Sequence, residues 1–372
     1  MQFGLNESQK ILKENARQFF EGECPITHVR QLAESRQPYD SALWSKIAAQ
    51  GYTGIIFPEK YDGLGLGTVE LILPMEEAGR ALLPGPFWST VALAGAVIDA
   101  VASDAQKTKY LARICRGEAR STLALLEGGA SWELADAKLV ATNGRLTGEK
   151  LFVLDADVAD FILVAAQSGV FLVQAQAPGL SITPMPALDL TRNVYAVQFH
   201  NTPAEKLGDG ANLALALDVA TVALVAEMVG GMQRMLDVTV DYAKTRKQFG
   251  KPIGTFQAVQ HQCADMYLET ESSRSAAYYA AWALEHDAPD AATATSIAKM
   301  YASDACRTVG NRSIQIHGGN GFAWENDLHL YYRRAKASET MLGDATFHRE
   351  RIARLMIDRV PVPCGGNDRS SR

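Results

Sequence analysis

The chain has 372 residues and is 47% hydrophobic, 21% charged and 8% aromatic, which supports two or three domain-sized units and excludes global disorder. Its net charge of −6 and pI near 5.7 argue against nucleic acid as a main partner. Five scattered cysteines (Cys24, Cys115, Cys263, Cys306, Cys364) form no C-x-x-C pair, so neither a disulfide framework nor a metal site is expected, and a reducing cytoplasm fits.

The N-terminal stretch MQFGLNESQKILKENARQFF alternates polar and apolar residues at helical spacing and lacks the apolar core of a signal peptide. Asn6 and Ser8 are candidate caps, and Leu5, Ile11, Leu12, Phe19 and Phe20 form an apolar stripe. An N-terminal helical domain is expected over 1–118, with FPEKYDGLGLG (57–67) as a loop and TVELILPMEEAGRALL as a further helix. From Ser121 the texture changes to short Val/Ile/Leu/Phe runs split by turn residues. Asn143-Gly144-Arg145 between two such runs signals a hairpin, and 119–210 reads as a small β domain.

From Ala211 the pattern is helical again. LALALDVATVALVAEMV (213–229) is apolar almost all round and belongs inside a bundle; counting Asp218 and Glu227, it lacks the length and flanks of a membrane span, so no membrane insertion is expected. Further helices are expected over 255–286 and 291–315, with another pair after GGNGF. The helical bundle runs to 360, and the tail 361–372 reads as disordered.

Two stretches carry candidate chemistry. In DYAKTRKQFGKPIGTFQAVQH (241–261) a helix ends at a glycine turn beside Arg246, which reads either as a solvated helix corner or as a diphosphate receptor. In QIHGGNGFAWEND (315–327) Gly318, Gly319 and Gly321 let backbone approach a ligand, although an ordinary interhelix loop reads the same way.

Together R-K-Q-F-G-K-P-I-G-T-F-Q and Q-I-H-G-G-N-G-F resemble the two signatures of the acyl-CoA dehydrogenase family, and the helix–β–helix order extends the resemblance over nearly the whole chain. The resemblance implies an α+β fold, mainly α: an N-terminal helical domain, a middle β-barrel-like domain and a C-terminal four-helix bundle, assembled as a dimer of dimers. It implies FAD, an acyl-CoA substrate and electron-transferring flavoprotein as electron acceptor. By the same resemblance Arg246, Gln248, Phe249 and Gln257 contact FAD, and Gln315, Ile316, Gly318 and Gly319 meet its adenosine diphosphate half from a partner subunit. LALLEGGASW (123–132) and KLFVLD (150–155) are similar to the segments around the flavin ring, which puts Leu126 and Phe152 beside it. Leu126 stands where a threonine is usual, and Gly128 where a proline is usual.

The family's α-proton base is a glutamate. Aligning RAKASETMLGDATFHRERIAR by its basic residues and glycine places that position on Leu342; the alternative position on the first bundle helix falls on Ala220. Neither takes a proton. Asp344 and Glu227 remain as candidate bases. Asp344 equally reads as a helix cap or an FAD contact, and Glu227 as a buried partner for a basic side chain. Asp218 and Thr221 fall on substrate-binding positions, while Glu339 and His348 read as surface residues. Ala214, Ala216, Ala220 and Ala223 hint at room for a bulky acyl group, or at tight helix packing. The pattern resembles small subunits of bacterial acyl-CoA dehydrogenases for steroid side chains, dicarboxylic acids or similar acyl chains, some in heterotetramers with a homologous subunit. Three readings stand: α,β-dehydrogenation of an acyl-CoA to the 2-enoyl-CoA, a half-site partner subunit, or a relative acting on a non-thioester.

Overall fold

The computed structural model describes residues 4–35, 39–129, 131–133 and 136–357. The expected disordered tail over 361–372 lies outside these residues.

The N-terminal helices are α1 (Glu7–Glu23), α2 (Ile26–Ser35), α3 (Ser41–Ala49), α4 (Thr68–Arg80), α5 (Ala96–Val101), α6 (Asp104–Gln106) and α7 (Ala112–Cys115). Asn6 caps α1 through a reciprocal box with Gln9. A π-helical stretch, Trp88–Gly95, leads into α5; such widened turns recur at functional sites.

The middle domain holds β1 (Ser121–Ala124), β2 (Val140–Thr142), β3 (Arg145–Leu154), β4 (Phe161–Ala166), β5 (Gly169–Gln174), β6 (Leu180–Met185), β7 (Val194–Pro203) and β8 (Glu205–Gly208). They form two four-stranded sheets, ordered β1-β4-β5-β8 and β2-β3-β7-β6. Asn143 (φ 50°) and Gly144 (φ 71°) make the β2–β3 turn, with the left-handed geometry that a two-residue hairpin needs. All six residues of β4 are buried because the strand is covered on both faces. Phe161, Leu163 and Ala165 join the helical core, whereas Ile162, Val164 and Ala166 join the core between the sheets.

The bundle contains α8 (Leu213–Thr245), α9 (Gln257–Glu285), α10 (Ala291–His317), α11 (Gly319–Phe322), α12 (Leu328–Thr340) and α13 (Ala345–Met356). A two-residue ribbon, β9 (Lys247–Gln248) with β10 (Lys251–Pro252), links α8 to α9. At 33 residues α8 is longer than its sequence pattern suggested, and it is long and apolar enough to cross a membrane. Its apolar window is, however, 78% buried within the fold. Helix α4 crosses α8 at two glycines. A Cβ on Gly230 would stand 1.8 Å from the Glu76 carbonyl oxygen, and one on Gly79 would stand 2.0 Å from that of Glu227. The glycines therefore set how closely the N-terminal helices seat on the bundle.

Candidate active site

A cavity of about 470 Å³ opens where the β domain, the π-helical stretch and α12 meet. Leu125, Leu126, Trp132, Phe152 and Leu154 wall one side, Trp88 and Leu93 another, and Met341 and Leu342 a third. The loop 186–192 supplies Asp189 and Arg192.

One ion pair ties the β-domain wall together. Lys150, fully buried, donates to Glu127 Oε1 at 2.6 Å and to the Leu125 carbonyl at 3.0 Å. Glu127 also accepts from the backbone of Lys138 and Leu139. Leu151 N–H donates to the Leu126 carbonyl at 2.9 Å. The pairing of β3 with β7 slips between Lys150 and Val153, and Phe152 sits there with φ 56°, thrown out of the ladder towards the cavity. The structure thus brings Leu126 and Phe152 to one cavity.

The opposite wall is a turn. Leu342 (φ 53°) and Gly343 (φ 98°) follow α12, and Leu342 is buried against the cavity. Lys299, fully buried on α10, donates to the carbonyls of Ser338 (3.1 Å), Glu339 (3.0 Å) and Gly343 (3.0 Å). It thereby satisfies the open carbonyl end of α12. Burial pushes its ammonium down to about 7. From the other side His348 Nε2 lies 3.0 Å from the Leu342 carbonyl, so that nitrogen carries the hydrogen. His348 is therefore a buried residue that fixes the turn, not the surface residue its sequence suggested. Glu339 is half-buried and accepts from Arg307 (3.0 Å) and Lys336 (2.9 Å).

The candidate acids all have partners. Asp344 is exposed, and its carboxylate accepts from Phe347 N–H at 2.8 Å, which makes it the cap of α13. Glu227 is buried between two guanidinium groups: Arg334 Nη1 reaches Oε1 at 2.6 Å, and Arg192 Nη2 pairs with Oε2. Asp189 accepts from Arg334 Nε at 2.5 Å and from Thr191 N at 2.8 Å. Asp218 forms a two-pronged pair with Arg351 at 2.6 and 2.8 Å, and the Thr221 hydroxyl donates to the Leu217 carbonyl. Neither Asp218 nor Thr221 lines the cavity. Ala220 lies behind Trp88, whose indole N–H donates to the Ala220 carbonyl at 3.1 Å. Trp88 thus covers the alternative base position. Ala216, Ala220 and Ala223 are buried in helix packing, so they make no room in the cavity, and Ala214 is exposed.

Sequence reading missed Arg192, Arg334, Lys299 and Trp88. An arginine or lysine in an otherwise apolar context is a weak signal until its distant carboxylate or carbonyls are known.

The two signature stretches lie at another end of the bundle. Tyr242 stacks on His317 with ring centres 4.2 Å apart, and Asn320 donates to the Tyr242 hydroxyl at 3.3 Å. The ends of α8 and α10 are thereby joined. Arg246, Gln248, Phe249 (93% exposed) and Gln257 are exposed, as are Gln315, Gly318 and Gly319; Ile316 is half-buried. None of these lines the cavity. A Cβ on Gly318 or Gly319 would meet nothing within 4 Å, which leaves their backbone open, as the exposed Arg246 leaves its guanidinium. That donor set fits a diphosphate, and the flat, apolar wall of Leu125, Leu126 and Phe152 fits a flavin ring. Among the described residues no group of His, Cys, Asp and Glu forms a metal site.

Comparison with known proteins gives the same picture. Residues 6–118 match the family model for the acyl-CoA dehydrogenase N-terminal domain, and residues 208–357 match that for the C-terminal domain. The acyl-CoA dehydrogenase IpdE2 of Mycolicibacterium smegmatis is 32% identical over 354 residues, covering 94% of this chain and 98% of its own. A solved structure of a variant of the Tcur3481-Tcur3483 steroid ACAD is 34% identical with a TM-score of 0.86, covering 95% of this chain and 98% of that one. A chain of the ChsE4-ChsE5 complex from Mycobacterium tuberculosis is 29% identical with a TM-score of 0.89, covering 97% and 100%.

Proposed function

The chain belongs to the acyl-CoA dehydrogenase family, FAD-dependent oxidoreductases acting on CH–CH bonds, and from that premise we propose that it is one subunit of a heteromeric dehydrogenase for a bulky acyl-CoA, its homologous partner carrying the base. The observation that carries this is the cavity wall. Leu342 stands at the base position, and the one cavity-lining carboxylate among the described residues, Asp189, has both oxygens engaged.

The α proton of a thioester is weakly acidic and needs a carboxylate whose pKa an apolar pocket raises. FAD, when bound, accepts the β hydride. This chain's residues do the remaining work. Arg246, Gln248 and the open backbone at Gly318 and Gly319 hold the diphosphate side, and their exposure suits a site completed between subunits. Leu126 and Phe152, braced by the Lys150–Glu127 pair, bound the ring side and exclude water. Electron-transferring flavoprotein is the acceptor in this reading. Two of the similar solved structures are named for pairs of proteins, and one of these names includes the words steroid ACAD. These support a heteromer and a bulky acyl group.

The test is co-expression with a homologous partner, compared with the chain alone. The assembly is expected to be yellow and to bleach anaerobically with an acyl-CoA; the chain alone is not expected to bleach. Bleaching by the isolated chain overturns the division of labour.

A further inference from the structure

The cavity is mainly apolar; Thr122, Asp189, Lys336 and Thr340 are its other polar residues, and Arg192 is the buried cation among them. Arg192 is 6% exposed, sits over the Trp88 ring at 5.9 Å and spends one prong, Nη2, on Glu227. Its other prong has only loose neighbours: Nη1 lies 3.5 Å from Ser338 Oγ and 3.7 Å from Met341 Sδ. The first distance is at the limit of a hydrogen bond to oxygen, and the second reaches a thioether, which is only a weak acceptor. A guanidinium has five donors in a fixed fork, and burying one with unmet capacity is costly. An oxygen of a ligand in the cavity meets that need.

The charges around it decide which oxygen. The Arg192 and Arg334 guanidinium groups are matched by the Glu227 and Asp189 carboxylates. A third carboxyl, Asp155, is fully buried close behind. One of its oxygens accepts from Ser89 Oγ at 2.5 Å and the other has no partner. The cluster has no spare positive charge, and the cavity's other cation, Lys336, is paired with Glu339 at 2.9 Å, so a ligand carboxylate would arrive unmatched. An uncharged acceptor takes the donor without that penalty.

We propose that this chain's own cavity receives an acyl group bearing an uncharged carbonyl or hydroxyl oxygen, with Arg192 as the residue that selects it. The inference rests on the thioester chemistry of the family and not on which subunit carries the base.

Three matched thioesters test it: cyclohexylacetyl-CoA, 4-oxocyclohexylacetyl-CoA and 4-carboxycyclohexylacetyl-CoA. Calorimetric titration uses the protein in the oligomer in which it purifies, with its homologous partner where one co-purifies. The ketone is expected to bind about tenfold or more tighter than the hydrocarbon, the scale of one hydrogen bond from a charged donor. The carboxylate is expected to gain nothing over the hydrocarbon. Arg192→Met should bring the ketone-to-hydrocarbon ratio close to one. Should that variant fail to fold with Glu227 half-paired, the double variant Arg192→Met/Glu227→Gln removes both charges together. Equal binding of ketone and hydrocarbon, tightest binding of the carboxylate, or a ratio that survives both variants overturns the inference and leaves the dehydrogenase reading standing. Binding of none of the three, in an assembly that also fails to bleach with any acyl-CoA, overturns both.

Discussion

His348 Nε2 and the Leu342 carbonyl oxygen are 3.0 Å apart, and that contact holds a left-handed leucine against the cavity. The other ring nitrogen, Nδ1, is buried without a partner, so protonation would place an uncompensated charge beside Lys299. Burial first, and the Lys299 charge second, lower the His348 pKa from 6.5 to about 4. The unfolded chain therefore binds this proton first as pH falls. The contribution is complete above the unfolded value and is lost between about pH 6.5 and 4, amounting to about 3 kcal/mol. His348→Gln keeps a donor but cannot titrate. Urea midpoints at pH 7.5 and 4.5 should fall less for the variant than for the wild type; equal falls reject the assignment.

Lys150 and Glu127 join the two segments that wall the ring side of the cavity. Lys150→Met leaves Glu127 without its cation and Leu125 without its donor, and should cost about 2–4 kcal/mol. Glu127→Gln keeps an acceptor oxygen and should cost less. Thermal melts, with bound flavin read from the visible band, distinguish the two; a larger loss in Glu127→Gln contradicts the bracing role.

Asp344 is spent on the first turn of α13. Asp344→Ala should lower stability by about 1 kcal/mol, and the rate of anaerobic bleaching in the assembled enzyme should stay within about twofold. A hundredfold loss of rate would return Asp344 to the list of bases.

The glycine crossing of α4 and α8 tolerates no side chain. Gly230→Ala requires the helices to part around a carbonyl oxygen 1.8 Å from the new Cβ, and should cost about 3 kcal/mol or more. A melting temperature within a few degrees of wild type shows that the helices adjust.

Arg246 is exposed and should matter for the cofactor only. Arg246→Ala is expected to weaken FAD retention about tenfold or more without changing the melting of the flavin-free protein. Unchanged flavin content after dialysis counts against the diphosphate role.

Local patterns were legible in the sequence. The hairpin at Asn143-Gly144 follows from two residues that tolerate positive φ, and the buried α8 follows from a helix without a polar face. The two signature stretches could be paired because each carries its own glycine turn. Much of what escaped depends on distance along the chain. Glu227 meets Arg192 and Arg334, 35 and 107 residues away, and no local pattern announces either partner. His348 escaped for a different reason: its acceptor is a backbone carbonyl only six residues away, which no side-chain pattern marks.

The turn at Leu342 is gripped by its carbonyls: Lys299 holds those before and after it, and His348 holds its own. Nothing in that grip touches the leucine side chain. The backbone of the turn is therefore held without help from that side chain, which packs instead into the helical core. In the proposed heteromer, that backbone grip would keep the turn in place while a homologue supplies the proton-transfer step.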